Sequence, residues 1–159
     1  MTKSKKLKMK YIRTPKEIWE DLSKEFDFTV DACASDKNHL VDKYWTKKTD
    51  ALKQDWNGET VYCHPMYDIH IPKFIDKALS SNCLAVFLLP SSTNSTYFHQ
   101  KLWDGEKHKP RPNIQIRFLH KPREPYGTLY GYKFLTDDNE EPKTGYLRPL
   151  MVVIINKKV

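Results

Sequence analysis

The run Thr60-Val61-Tyr62-Cys63 leads into His64, Pro65, Met66 and Tyr67, so a short β-prone stretch ends in a polar residue, a proline and a tyrosine. Asp68 follows, and then a helix-like segment over residues 69–80. A strand that stops at a proline and gives way to a helix exposes its last residues at the C-terminal edge of a sheet, where open α/β folds place ligands. His64, Pro65 and Tyr67 are therefore the candidate reacting centre, to which the rest of the chain delivers a substrate and a cofactor.

A second candidate stretch ends in Asp31. Phe26, Phe28 and Val30 alternate with polar residues as in a strand, and Asp31 leads into Ala32, Cys33, Ala34 and Ser35. Small side chains let a ligand approach the backbone, and an acid there accepts hydrogen bonds from an amine or from hydroxyls. No glycine fingerprint is present, and an Asp at a strand end is also a common cap for the next turn. Asp50 and Asp55 precede the Asn57-Gly58 turn; each either caps that turn or reaches a ribose. The six histidines show no HExxH-type spacing and no GxSxG occurs, so neither a metal site nor a serine nucleophile is expected.

The elements that must hold these residues are legible in outline. Thr14 and Pro15 read as the N-cap and first residue of a helix carrying Ile18, Trp19 and Leu22, with Glu17 placed for a capping box. Thr14 thus has a structural role or, at a helix N-terminus, a role beside an anionic ligand group. Residues 36–55 read as one short helix and an irregular crossing. Residues 83–90 are a continuous apolar run of buried-strand type that also stops at a proline, and residues 97–103 start another helix. Two proline-ended strands that each feed a helix predict a parallel sheet. After Gly105 the pattern changes to strands over 113–119, 127–135 and 150–155, with an acidic loop over 137–145. These read as antiparallel additions at one sheet edge.

At 159 residues the chain is long enough for one domain, expected over residues 11–159 behind a basic tail at 1–10. The formal net charge of +7 suits an anionic partner. Cys33, Cys63 and Cys83 are an odd set without a CxxC, which argues for reduced thiols and a cytoplasmic setting. No apolar run is long enough to span a membrane, and no signal-peptide core follows the basic tail.

The order of the motifs resembles one family. A TP-led helix is followed by F-x-V-D-A-C-A-S with Asn38, then D-A-L-K-Q-D-W-N-G, V-Y-C-H-P-M-Y and F-L-L-P-S-S-T-N-S-T-Y-F-H. This series is similar to that of small phage-type, Dam-like DNA N6-adenine methyltransferases. The resemblance implies a Rossmann-like fold with a mainly parallel sheet and antiparallel C-terminal strands. It implies S-adenosylmethionine as cofactor, held by Thr14, Asp31, Ala32, Cys33, Ala34 and Asp50. His64, Pro65 and Tyr67 would form the catalytic motif, and DNA would be the partner. Lys107, Lys109, Arg111, Arg117, Lys121 and Arg123 are the candidate DNA contacts, since lysine and arginine neutralise phosphates.

The motif has a physical logic. An exocyclic adenine amine is a poor nucleophile because its lone pair is delocalised into the ring. A side-chain oxygen and the proline carbonyl accept its two N–H bonds and direct the lone pair, while an aromatic face stacks on a base taken out of the duplex. The chain departs from the family pattern twice. His64 stands where the family has Asn or Asp, and Met66 stands where it has a second proline. Neutral imidazole has a single acceptor nitrogen, and Met66 gives up the rigidity of proline. Two main readings stay open: an adenine N6-methyltransferase, or a catalytically inactive relative that acts by binding DNA, cofactor or a host protein. A third is methylation of another amine such as cytosine N4. A homodimer is carried with the DNA partner, and the setting would be the bacterial host cell if the chain is phage-encoded.

Overall fold

The computed structural model describes residues 13–119 and 149–158. In chain order its elements are α1 (Lys16–Glu25), β1 (Val30–Asp31), a 3-10 turn (Ala51–Lys53), β2 (Thr60–Cys63), α2 (Ile71–Leu79) and β3 (Leu84–Pro90). A π-helical turn (Phe98–Leu102) and the strands β4 (Trp103–Asp104), β5 (Lys109–Pro110), β6 (Ile114–Phe118) and β7 (Leu150–Asn156) follow. Five strands form one sheet in the order β1-β2-β3-β7-β6, and β4 and β5 form a separate ribbon.

β1, β2 and β3 are parallel, as two crossover connections require. β7 pairs antiparallel with β3 along its whole length, from Leu84↔Asn156 to Pro90↔Leu150. β6 is antiparallel to β7 and therefore runs in the direction of β1–β3. The two strands described at this edge are thus antiparallel additions, as expected: each pairs antiparallel with its neighbour, and β7, between β3 and β6, is the reversed one. The expected strand at residues 127–135, the acidic loop at 137–145 and the basic tail lie outside the described residues.

Period-2 alternation divides the core between the two sheet faces. Val61, Cys63, Ala85, Phe87, Leu89, Met151, Val153 and Ile155 pack with Ile71, Ile75 and Ala78 of α2. Tyr62, Val86, Leu88, Leu150, Val152 and Ile154 pack with Ile18 and Leu22 of α1. A one-residue register slip would exchange these two sets, so two different helical faces fix the register. Each fully buried Leu, Ile or Phe contributes about 1.5–3 kcal/mol, and β3 and β7 carry a large share of these among the described residues.

Three local expectations are corrected. Pro15, not Thr14, is the N-cap of α1, and no side chain caps that end; the Thr14 hydroxyl is turned toward β2 instead. The first strand starts at Val30, not Phe26, because Phe28 N donates back to Phe26 O at 3.1 Å and holds that stretch off the ladder. Phe28 stacks on Trp19 at 5.3 Å and meets Tyr62 edge-on at 5.4 Å. The helix expected over 97–103 is the shorter π-helical turn.

The long crossing between β1 and β2 is tied to the sheet by backbone bonds. Asp31 N donates to Lys43 O at 3.0 Å, Trp45 N to Asp31 O at 2.9 Å and Ala34 N to Trp45 O at 3.0 Å. Residues 43–45 thus add a parallel bridge outside β1. The crossing's only helical turn among the described residues is Ala51–Lys53. Gly58, at φ +80°, completes the turn into β2, where a side chain would be strained. Asp55 Oδ1 accepts from Asn57 N at 2.9 Å, so Asp55 caps that turn.

Candidate active site

The C-terminal ends of β1 and β2 open into a cavity of about 500 Å³. Ala32, Cys33, Ala34 and Asn38 wall it after β1, and Thr46, Lys47, Asp50, Ala51 and Leu52 wall it from the crossing. His64, Pro65, Met66, Tyr67 and Asp68 follow β2 into it, and His70, Lys73 and Phe74 close it from the start of α2. The fold therefore brings Ala32, Cys33, Ala34, Asp50, His64, Pro65 and Tyr67 to one wall, although they lie in three separate stretches. Thr14 and Asp31 stand behind that wall.

Asp31 is 3% exposed, and its carboxylate accepts from Leu40 N at 3.1 Å and from Cys33 N at 3.4 Å. Of the two sequence readings of this acid, the structure displays the cap: it holds the loop whose small residues form the cavity wall. Burial pushes its carboxyl up to about 6, partly opposed by those two N–H groups. Asp50 adopts φ +54° and accepts from Leu52 N at 3.1 Å, which starts the 3-10 turn. Trp56, fully buried, donates from Nε1 to Ala51 O at 2.9 Å and stacks on Trp45, pinning that turn from below.

At the end of β2 the side chains form a chain of hydrogen bonds. Tyr62 Oη lies 2.7 Å from Thr14 Oγ1, which lies 3.1 Å from His64 Nδ1. His64 Nε2 lies 3.0 Å from Tyr67 Oη, which donates to Leu88 O at 3.3 Å. Burial lowers the imidazole pKa to about 4, so His64 is neutral near pH 7, and burial pushes the Tyr62 phenol well above its ordinary value. The Pro65 carbonyl accepts no hydrogen bond among the described residues. Cys63 Sγ, buried beneath the site, lies 3.4 Å from Cys33 Sγ in the cavity wall.

The chain matches the DNA N-6-adenine-methyltransferase (Dam) family over residues 1–155. It belongs to that family. A DNA N-6-adenine-methyltransferase of Escherichia phage T1 is 29% identical over 90 residues, covering 54% of this chain and 37% of the phage T1 protein. The chain thus spans well under two thirds of that relative's length. No solved structure matches it.

The cavity of this Dam-family chain has exposed apolar and basic side chains in and beside its lining. Met66 is 39% and Ile69 80% exposed, and Asp68 fixes the turn between them and α2 by accepting from His70 N at 2.8 Å. Lys47 and Lys73 line the cavity with no acidic partner among the described residues. Neither lysine stood out in the sequence, and Phe74 read there only as part of the apolar face of the helix over residues 71–79. The available signal was positional, since Lys73 and Phe74 fall in the first turn of the helix that begins where the motif ends.

The candidate DNA contacts are distributed differently. Arg117 makes two bonds of 2.6 Å to the Glu25 carboxylate, which holds that carboxyl below its usual range, and lies over Phe26. Arg111 donates to His99 O at 2.8 Å, and Lys107 sits 3.8 Å from Asp104. Lys109 and Arg111 precede β6, whose Ile114 pairs with Ile155, itself opposite Ala85 near the start of β3. Arg111 therefore leads into the sheet at the edge opposite the cavity, and Lys109 stands just before it in the separate β4–β5 ribbon. Lys121 and Arg123 lie outside the described residues. Among the described residues no group of acidic, histidine or cysteine side chains could hold a metal, and no helix is long and apolar enough to cross a membrane.

Proposed function

We propose that this chain is a methyltransferase that modifies the exocyclic amine of adenine in DNA. The observation that carries the reading is the single cavity uniting the small-residue loop after β1 with Pro65 and Tyr67 after β2. Parallel β1, β2 and β3, with the cavity at the C-terminal ends of β1 and β2, support the Rossmann-like reading of the fold.

The residues fit S-adenosylmethionine. A cavity of about 500 Å³ is of small-molecule size, and Ala32 and Ala34 leave the backbone open to close approach. Ala32, Cys33, Ala34, Asn38 and Asp50 would hold this cofactor, which when bound supplies an activated methyl group. The Pro65 carbonyl, in the cavity lining, would take one N–H of a substrate amine, and that bond would direct the amine lone pair. The Tyr67 ring offers a stacking face for an extruded base. Lys47 and Lys73, at the rim, are placed to meet phosphate oxygens.

The test is incubation of the folded protein with S-adenosylmethionine and unmethylated genomic DNA, followed by mass spectrometry of the nucleosides. N6-methyladenine is the expected product. N4-methylcytosine would change the substrate, and no methylated base would overturn the enzyme reading. A second reading, a non-catalytic binding protein, is favoured by one observation: both ring nitrogens of His64 already have protein partners. His64→Asn separates the two. If the pocket is otherwise competent, the carboxamide oxygen should raise the rate by roughly one to two orders of magnitude, the scale of a single well-placed polar contact. A variant as inactive as an inactive wild type would favour the binding protein.

A further inference from the structure

Tyr62, Thr14, His64, Tyr67 and Leu88 come from three parts of the chain and make four consecutive hydrogen bonds, each between 2.7 and 3.3 Å. The direction of the protons along this chain is set from the Tyr62 end. Tyr62 is 1% exposed, and among the described residues Thr14 is its hydroxyl's only partner. A buried hydroxyl that fails to donate is costly, so the Tyr62 proton goes to Thr14 Oγ1. Thr14 has one proton of its own, and the remaining partner is His64 Nδ1. A neutral imidazole that accepts at Nδ1 carries its proton on Nε2 and donates it to Tyr67 Oη. The other end agrees with this polarity without imposing it: Tyr67 donates to the Leu88 carbonyl across a long 3.3 Å contact and accepts from His64 Nε2.

We infer that Tyr62 and Thr14 lock His64 as its Nε2–H tautomer, and that His64 is thereby a positioning residue for Tyr67 and not an acceptor for the substrate amine. With Nδ1 occupied by Thr14 and Nε2 protonated, the ring presents no lone pair to an amine. Its function is to hold the Tyr67 hydroxyl against the backbone of β3, which sets the ring at a tilt of 54° to the imidazole. At the catalytic motif the acceptor role falls to the Pro65 carbonyl. This accounts for a histidine at a position where Asn or Asp would act directly. It also gives the Thr14 hydroxyl a role that is neither a helix cap nor a cofactor contact.

The tautomer is independent of any activity, whereas its kinetic consequence rests on the methyltransferase reading. Protein labelled with ¹⁵N at histidine, with His64→Gln to identify the signal, would give the tautomer from long-range ¹H–¹⁵N correlations. The expected wild-type result is a single species near pH 7 with the proton on Nε2. Thr14→Val removes the hydroxyl at nearly constant shape and should release the second tautomer, while Thr14→Ser should keep the first. A proton on Nδ1 in the wild type, or a Thr14→Val spectrum identical to wild type, would overturn the inference. The wild-type spectrum decides the tautomer even if a variant does not fold. In methyl-transfer kinetics Thr14→Val should lower kcat about tenfold, the scale of a misplaced reacting group, with Thr14→Ser recovering most of it. An unchanged kcat beside an altered tautomer would overturn the positioning role. A wild type that folds, shows the Nε2–H tautomer and transfers no methyl group would overturn the methyltransferase reading alone.

Discussion

Asp31 and His64 sit at the ends of adjacent strands and have opposite proton preferences. Asp31, pushed up to about 6, binds a proton more readily folded than unfolded. Its contribution to stability is complete below about 3.9, the ordinary Asp value, and is lost as pH rises through 6. His64, lowered to about 4, binds a proton less readily folded than unfolded. Its contribution is complete above about 6.5 and is lost as pH falls toward 4. Between pH 7.5 and 5 the two trends oppose each other. We predict that Asp31→Asn makes the protein lose more stability than wild type over that interval, and that His64→Gln makes it lose less. Each difference should be of the order of 1 kcal/mol, read from urea unfolding at the two pH values. Parallel pH dependence in wild type and both variants would exclude this pairing of proton preferences.

The 3-10 turn at Ala51–Lys53 is the element on which the cavity wall most depends, because it is short and lacks a helix's internal ladder. Three contacts hold it: the Asp50 cap, the Trp56 Nε1 bond to Ala51 O and the stack of Trp45 on Trp56. Trp56→Phe removes the indole donor and part of the buried ring. The expected cost is about 1–3 kcal/mol in unfolding free energy, from the orphaned carbonyl and the incomplete packing. Calorimetry with S-adenosylhomocysteine should show weaker binding in the same variant, because Asp50, Ala51 and Leu52 share this support. Unchanged affinity with reduced stability would detach the turn from the cofactor site.

At the scale of the molecule, the candidate cations among the described residues fall on different sides of the sheet. Lys47 and Lys73 flank the cavity, whereas Lys109, in the β4–β5 ribbon, and Arg111 precede the far end of β6 and Arg117 is held by Glu25. If DNA is read at the cavity edge, the double variant Lys47→Ala, Lys73→Ala should flatten the slope of log K against log salt by about 2. The double variant Lys107→Ala, Lys109→Ala should leave that slope unchanged. A slope that responds to the second pair and not the first would place the DNA on the opposite edge.

Some of this was fixed in the sequence by local rules. The proline-ended apolar runs gave β2 and β3, the 3.6-residue spacing gave α1 and α2, and Asn57-Gly58 gave the turn, because each signal lies within a few residues of its effect. The same order of short motifs placed the chain in its family and singled out His64, Pro65 and Tyr67. Tertiary structure alone decided which groups meet. Thr14 was legible as a cap, but its hydroxyl is used 48 and 50 residues away, at Tyr62 and His64. Arg117 was legible as a free cation, but Glu25, 92 residues earlier, takes it. The direction of β6 follows from β7 returning between it and β3, a pairing no local pattern encodes. Periodicity reports which face of an element is buried; the partner of a hydrogen bond or a strand is set by chain return, so the proton order at His64 existed only once three distant stretches were folded together.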